Sequence, residues 1–289
     1  MKKLLPMIVA ISLVFALASC KTPPPPTPTP PPVVVEESSP PELTVELSPQ
    51  PFSPDEDGED DTLTVNISVK TEIPIHSWHI EIREPAPGYA LFSEWKGEGM
   101  PPKTMVWNGL SASEELVQSA TDYHFALVVT NTNNDSTTYQ GTISVDVLVR
   151  REGDVLRVIV PSIVFASDTG NFSKLTKEIS DANDRILRRI AQVLNRYDTY
   201  QVKVEGHANP TTAPGTAART NEEKGTRSVK GLQPLSEERA KAVLDYLVTL
   251  GVEKGRLSSV GVGGARTVVE FADKDNWWKN RRVEFILIK

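Results

Sequence analysis

The chain has 289 residues, of which 31 are lysine or arginine, 38 are aspartate or glutamate and one is cysteine, and its net charge is −7. A single cysteine excludes a disulfide framework. The charge is uneven, because residues 21–151 carry 7 basic against 20 acidic side chains and residues 152–289 carry 22 against 18. This asymmetry predicts two domains. The second half is too weakly basic for nucleic-acid binding and has no motif for it.

Residues 1–19 have the three parts of a secretory signal peptide. A start with two lysines precedes an almost wholly apolar run at residues 4–18, and small residues come just before Cys20. The apolar run is shorter than the roughly 20 residues that span a bilayer, so the pattern favours a cleaved signal peptide. Leu-Ala-Ser-Cys at residues 17–20 resembles a lipobox, which implies a lipid anchor on the Cys20 thiol. The alternative is an ordinary signal peptide with an incidental cysteine.

Residues 20–42 form a proline-rich tether that begins at the predicted lipidated cysteine. Proline-dense segments favour extended polyproline II at ~3.1 Å per residue, so about 20 residues reach ~60 Å from the lipid. Two alternatives are a flexible spacer of no fixed reach and a ligand for a proline-recognising partner. The position of the segment between an anchor and a folded region favours a spacer over a partner ligand.

Residues 43–150 show the alternation of apolar and polar side chains that is typical of half-buried strands. The alternation is clear at 63–69, 78–83, 123–129 and 143–147. Several short strands separated by turn residues predict an all-β sandwich of ~100 residues.

The opening of this region, Phe-Ser-Pro-Asp-Glu-Asp-Gly-Glu-Asp-Asp at residues 52–61, resembles that of Ig-like modules in bacterial surface and flagellar-hook proteins. Trp-Asn-Gly at residues 107–109, followed by a strand that begins at Tyr123, fits the same resemblance. The resemblance implies an Ig-like domain that acts as a spacer or as a partner surface.

The same acidic turn is a weak calcium candidate. Asp55, Asp57 and Asp60 alternate as the oxygen ligands of a calcium loop do. The terminal bidentate glutamate of such a loop is missing. We therefore favour a solvated turn whose carboxylates cap backbone N–H groups.

Residues 151–289 alternate strand and helix patterns. Ser236 is a good N-cap for the second helix, and Gly251 suits its left-handed end. The order strand, helix, strand, helix, strand, strand predicts an α/β (α+β) domain, with a mixed sheet and helices packed on one face. The predicted strands are 156–160, 163–165, 202–205, 257–262 and 283–288, and the predicted helices are 173–197 and 236–250.

Three motifs in this half resemble the OmpA C-terminal family, a peptidoglycan-binding domain of bacterial envelope proteins. They are Gly-His-Ala-Asn at 206–209, Leu-Ser-Glu-Glu-Arg-Ala at 235–240 and Asn-Arg-Arg-Val-Glu at 280–284. Their order matches that of the family. The chain departs from the family where Asn209 replaces an aspartate and Leu232 replaces an asparagine. It also has a longer segment between the first two motifs.

The resemblance implies a site for the zwitterionic diamino acid of the peptidoglycan stem peptide. A helix beginning at Ser236 would offer free N–H groups to the carboxylate. Arg239 would bind that carboxylate bidentately, unless it is a surface arginine paired to Glu237 or Glu238. Asn209 would face the ammonium, but it carries no charge. We therefore expect affinity for the family's usual ligand to be roughly tenfold lower, or the ligand to be a different one.

The third motif supplies the remaining predicted ligand residues, Asn280, Arg281 and Arg282. In the family one arginine of the pair faces the ligand and the other packs or forms a salt bridge, and the sequence leaves open which is which. His207 of the first motif is more often a structural hydrogen-bonding residue than a base.

No motif of an enzyme, of a phosphate-binding loop or of a metal site is present, so we predict a protein that is not an enzyme and needs no cofactor. We predict a lipoprotein of the outer membrane whose folded part lies in the periplasm and docks non-covalently on peptidoglycan. The alternative is an OmpA-like scaffold with a lost or altered site that binds another envelope protein.

Overall fold

The computed structural model describes residues 39–85, 88–226 and 229–289. The predicted signal peptide, Cys20 and the tether up to residue 38 lie outside the described residues. In the part of the chain that the structure describes, no helix is long and apolar enough to cross a membrane.

Most segments with the apolar periods of strands and helices form those elements, but the predicted strand at 143–147 is displaced, because the observed strand ends at Ser144 and residues 146–149 lie in no strand. The strands are β1 (Glu42–Ser48), β2 (Leu63–Lys70), β3 (Ile75–Arg83), β4 (Leu91–Glu98), β5 (Thr104–Trp107), β6 (Asp122–Asn131), β7 (Ser136–Ser144), β8 (Arg150–Glu152), β9 (Val155–Val160), β10 (Gln201–His207), β11 (Leu257–Gly263) and β12 (Val283–Ile288). The helices are α1 (Lys177–Arg196), α2 (Ala217–Lys224) and α3 (Leu232–Thr249), with short 3-10 helices at Lys254–Arg256 and Trp277–Asn280.

Strands β1 to β7 make two antiparallel sheets, with orders β1-β2-β5 and β4-β3-β6-β7. In β6, Tyr123, Phe125, Leu127 and Val129 are buried and alternate with more exposed residues, because successive side chains of a strand point to opposite faces. Both sheets contribute to one apolar core. The Ig-like assignment of this region stays a prediction.

Strands β8 to β12 make one mixed sheet of order β11-β10-β12-β9-β8, in which β10 and β11 run parallel and the other neighbours antiparallel. Along β12, Val283, Phe285 and Leu287 enter a core shared with α1 and α3. Glu284 lies between them on the opposite face and pairs with Arg157. The predicted mixed sheet is confirmed.

The predicted start of the second long helix is wrong. Helix α3 begins at Leu232 and its N-cap is Gly231, so Ser236 lies inside the helix rather than at its start. Pro234 is the third helical residue. Backbone N–H groups in the first turn have no intrahelical acceptor, so the N–H that proline lacks is not needed there. The predicted end is confirmed, because Gly251 follows the helix with a φ of 89°.

The segment before α1 is also predicted wrongly. Residues 163–165 are irregular rather than a strand, because an asparagine of α1 replaces a strand partner. Val164 donates its N–H to Asn183 Oδ1 (3.0 Å), and Asn183 Nδ2 donates to the carbonyl of Val164 (2.7 Å). Helix α1 begins at Lys177, four residues later than predicted, with Thr176 as its N-cap.

The acidic turn has the hydrogen bonds that the capping interpretation predicts. Asp55, Asp57 and Asp61 accept bonds of 2.8–2.9 Å from backbone N–H groups. Carboxylate oxygens of these three residues lie within 4.8 Å of one another. Asp60 is not in this group, so the predicted set of oxygen ligands is wrong at that position.

Candidate ligand-binding site

A cavity of about 610 Å³ is lined by side chains from all three sequence motifs. Asn209 follows β10, Arg239 lies on α3, and Arg281 follows the 3-10 helix Trp277–Asn280. Helix α2, which lies in the long segment between the first two motifs, lines another part of the cavity. The sequence motifs therefore meet although they are far apart along the chain.

Arg239 is held in place but keeps part of its guanidinium free. Its Nε donates to the carbonyl of Thr169 (3.3 Å), and its guanidinium carbon lies 5.1 Å from the centre of the Phe165 ring. Burial and the nearby charge of Arg281 lower the pKa of Arg239, and Asp168 opposes this shift. The terminal nitrogens of Arg239 have no hydrogen-bond partner among the described residues. The side chain is thus positioned to bind a carboxylate.

The alternative role for Arg239, a surface ion pair, is wrong. Glu237 accepts a hydrogen bond from the backbone N–H of Gly261. Glu238 pairs with Lys230 at 2.6 Å. Both carboxylates are occupied elsewhere, and Arg239 points into the cavity instead.

The structure separates the roles of the two adjacent arginines. Arg282 is buried, and its Nε donates to Glu284 (2.8 Å) while its Nη2 donates to the carbonyl of Arg266 (3.1 Å). Arg281 is exposed, lines the cavity beside Arg239 and has no ion pair within the described ranges. Arg281 therefore faces the cavity, and Arg282 forms the salt bridge.

Asn209 and Asn280 bind each other. Asn280 Nδ2 donates to Asn209 Oδ1 (2.9 Å), and Asn280 Oδ1 accepts from the N–H groups of Val268 (2.8 Å) and Val269 (3.1 Å). Asn209 Nδ2 donates to the carbonyl of Pro210 (3.1 Å). The polar atoms of Asn280 are thus satisfied within the chain, so Asn280 positions Asn209 and the 268–269 backbone.

Ser236 supports the site from within the core. Its side chain is fully buried, donates to the carbonyl of Gln233 (2.8 Å) and accepts from the N–H of Gly263 (2.8 Å). Helix α3 passes so close to β10 that a Cβ on Gly206 would collide with the Ser236 carbonyl oxygen. Ser236 therefore joins α3 to β11 and does not offer N–H groups at a helix start.

Two carboxylates that the sequence motifs do not indicate also line this cavity. Glu222 of α2 accepts bonds from the backbone and hydroxyl groups of Thr211 and Thr212. Burial raises the pKa of Glu222, but these bonds outweigh burial and lower it. Asp168 is exposed, and its carboxylate makes no hydrogen bond in the described ranges. No spacing pattern links Asp168 to the motifs, because it lies on an irregular loop before α1.

A buried group of Glu205, His207 and Glu284 has ligand atoms within 4.8 Å of one another. Glu205 pairs with Lys203 and Arg266, and Glu284 pairs with Arg157 and Arg282. These four cations exceed the two carboxylates, so the group repels a divalent metal. The expected hydrogen-bonding role of His207 is wrong, because its ring nitrogens have no hydrogen-bond partner in the described residues.

A family model described as OmpA family matches residues 171–281. The peptidoglycan-associated lipoprotein of Mesorhizobium japonicum is 38% identical over 96 residues, which cover 33% of this chain and 48% of that protein. The peptidoglycan-associated lipoprotein of Pseudomonas putida is 32% identical over 133 residues, covering 43% of this chain and 76% of that protein. The chain thus spans about half of the first relative and about three quarters of the second. The periplasmic domain of Helicobacter pylori MotB aligns at 18% identity with a TM-score of 0.38, covering 49% of this chain and 78% of that domain.

Proposed function

Because the chain belongs to the OmpA family, we propose that it docks non-covalently on peptidoglycan by holding the diamino acid of the stem peptide between Arg239 and Arg281. The observation that carries this proposal is the pair of guanidinium groups that line one cavity and make no ion pair within the described residues. The relatives named peptidoglycan-associated lipoprotein support it.

The two arginines bind the carboxylate of the diamino acid. Arg239 is partly buried and pre-oriented by Thr169 and Phe165, so little side-chain entropy is lost when the ligand enters. Bidentate, charge-assisted hydrogen bonds in a partly desolvated cavity are about twice as strong as neutral ones. Arg281 adds a second positive charge on the same side.

Asp168 supplies the anion for the ammonium of the ligand. Position 209 carries no charge, and Oδ1 of Asn209 already accepts a bond from Asn280. Glu222 is saturated by two threonines, whereas the Asp168 carboxylate is unoccupied beside Arg239. The positive and negative ends of the zwitterion therefore meet different elements of the fold, α3 and the loop before α1.

The same proposal includes the membrane end of the chain. Cys20 carries a lipid in the outer membrane, and residues 20–42 hold the folded part in the periplasm at up to ~60 Å from the lipid. Residues 43–150 then act as an Ig-like spacer or partner surface, and residues 151–289 bind the wall. The short apolar run and the lipobox at Cys20 support this arrangement.

Calorimetry with a muropeptide that carries diaminopimelate tests the wall-binding step. We expect Arg239→Ala to lose about 30-fold in affinity, or roughly 2 kcal/mol, because a desolvated charge partner is removed. Arg151→Ala is the matched control, since Arg151 is exposed on β8 and does not line the cavity. Unchanged affinity of Arg239→Ala would mean that another surface holds the wall.

The scaffold alternative is supported by the missing charge at Asn209. It predicts that the wild-type protein binds no muropeptide and does not sediment with purified wall sacculi. Sedimentation of the wild type but not of Arg239→Ala would reject the scaffold alternative.

A detergent-partition assay tests the anchor at Cys20. We expect Cys20→Ser to move the protein from the detergent phase to the aqueous phase, because a lipid chain contributes about 0.8 kcal/mol per buried CH₂ group. Ser19→Ala serves as the control, since it keeps a small residue before the cysteine. Partitioning of Cys20→Ser into detergent would show that another segment anchors the chain.

A further inference from the structure

A second cavity of about 430 Å³ adjoins the proposed wall site. Arg239 and Arg281 line both cavities, so the two spaces meet at the guanidinium pair. The second cavity is lined from one side by residues near β6 of the β-rich region and from the other by α1 and the Trp277–Asn280 segment. Its volume lies in the range of small-molecule sites in proteins.

Three buried side chains that line this cavity, those of His207, Trp278 and Arg282, have nitrogen atoms without a hydrogen-bond partner among the described residues. Arg282 is 5% exposed, and its Nη1 has no acceptor among the described residues. His207 is 2% exposed, and its ring nitrogens make no hydrogen bond there, although Nε2 lies 3.4 Å from Glu284 Oε1. Burial and the charge of Arg282 lower the pKa of His207 to about 4, so the ring is neutral at pH 7 and its single N–H can face Glu284. Buried donors without partners are uncommon and indicate a missing acceptor.

The lining also indicates the charge and size of that acceptor. Because Arg282 is paired with Glu284, the unpaired charges of the lining are the guanidinium groups of Arg239 and Arg281 and the carboxylate of Asp122. The positive excess favours an anion. The remaining walls are largely apolar and take a small hydrocarbon group. They include Ile163, Val164, Phe165, Ala182 and Ile186.

We propose that the second cavity binds the residue that follows the diamino acid in the stem peptide, a D-alanine with a free carboxylate. This inference rests on the proposed function, since the diamino acid in the first cavity directs the peptide past Arg239 and Arg281. The terminal carboxylate accepts a hydrogen bond from Arg282 Nη1. The methyl group contacts the apolar wall beside Phe165.

Calorimetry with two muropeptides tests the assignment on the full chain in detergent. One stem ends at diaminopimelate, and the other is extended by one D-alanine. We expect the extended ligand to bind about tenfold more tightly, because one charge-assisted bond is added. Equal affinities would overturn the inference and leave the proposed function intact. Failure of both ligands to bind would overturn the proposed function and the inference with it.

Two substitutions with matched controls locate the effect. Ala182→Leu narrows the second cavity, so we expect it to abolish the advantage of the extended ligand while the shorter ligand binds as before. Ala217→Leu is the control, since Ala217 is exposed at the start of α2 and lines neither cavity. A full advantage in Ala182→Leu would overturn the inference.

The second substitution is expected to improve binding. Asp122→Asn removes the carboxylate that repels the ligand, and we expect about threefold tighter binding of the extended ligand alone, which is typical of one exposed charge. Asp154→Asn is the control, because Asp154 is exposed in the β8–β9 turn and lines neither cavity. Unchanged binding by Asp122→Asn would contradict the placement of the carboxylate.

Discussion

The β-rich region and the α/β region bury charge differently. Among the described residues of the first region, Glu84 is the buried charged side chain, and the other buried polar groups are neutral. The second region buries Glu205, Lys279, Arg282 and Glu284. Burying a charge is costly unless it is paired. The second region therefore carries a desolvation cost that the first region largely avoids.

Buried charge alone does not identify a site within the α/β region. Arg256 is buried too, but its guanidinium donates to the carbonyls of Leu194, Tyr197 and Tyr200. It thereby satisfies carbonyls at and just beyond the end of α1. A positive charge at the C-terminal end of a helix stabilises that helix. Arg239 and Arg281 differ because their guanidinium groups line a cavity.

The largest predicted effect concerns the contact between the two regions. Lys279 is buried against Glu84 (2.5 Å) and Glu115 (2.7 Å). We expect Lys279→Met to lower the free energy of unfolding by about 3–5 kcal/mol, because the Glu84 charge stays buried without its partner. Urea unfolding followed by circular dichroism measures this, and Glu84→Gln in the same chain should recover most of the loss.

The exposed pair of Lys96 and Glu94 provides the control. Its ammonium and carboxylate are 2.9 Å apart at the surface, so we expect Lys96→Met to leave the free energy of unfolding nearly unchanged. The Lys279 variant also tests the predicted domain boundary at residues 150–151. Independent domains would give two separate unfolding transitions in that variant. A single cooperative transition for the whole chain would count against the boundary.

The next effect is a pH dependence that His207 gives to the α/β region. The pKa of His207 is lowered to about 4 by burial and by Arg282, below an unfolded value of about 6.5. The folded state therefore binds fewer protons, and its stability falls as pH drops from 6.5 to 4. We expect the free energy of unfolding to fall by about 3 kcal/mol over this range. The pKa values of Glu205 and Glu284 are also lowered, despite burial, by their cationic partners, so further loss follows in more acidic solution.

Thermal unfolding from pH 7 to 4 measures this dependence. His207→Gln should remove the loss between pH 6.5 and 4, because glutamine has no proton to bind. His76→Gln is the control in the β-rich region, where His76 is exposed on β3. A parallel pH profile for His207→Gln and the wild type would show that another group titrates.

The smallest predicted effect compares two anion positions in the ligand site. Asp168→Asn should weaken binding of the diaminopimelate muropeptide about tenfold, because the ammonium loses its partner. When added to Asp168→Asn, Asn209→Asp should recover about tenfold in affinity. In the wild-type background it should also strengthen binding of the muropeptide. The new carboxylate can still accept from Asn280 but loses the bond that Asn209 donates to Pro210. Calorimetry on the four proteins decides whether the anion sits at position 168, and full affinity of Asp168→Asn would contradict it.

Some site residues were predictable because they lie in continuous motifs. Arg239 and Asn209 follow from short patterns, and both line the cavity. Asp168 was not predictable, because only the packing of an irregular loop against α3 brings it there. The start of α3 was missed because Ser236 is a good cap locally, while its buried hydroxyl is used by Gln233 and Gly263. Residues 163–165 were missed because Asn183 replaces a strand partner.

Strands, the two long helices and the family follow from local patterns, because the periods of apolar side chains and the motif residues are properties of the chain itself. Long-range contacts settle the rest. Arg281 and Arg282 are neighbours of the same type, and only the position of Glu284 on β12 shows which of them is paired and which faces the cavity. The second cavity likewise exists only where the loop before α1 and the β-rich region meet His207 and Arg282. Its chemistry depends on buried atoms without partners, and such atoms are defined by packing rather than by sequence.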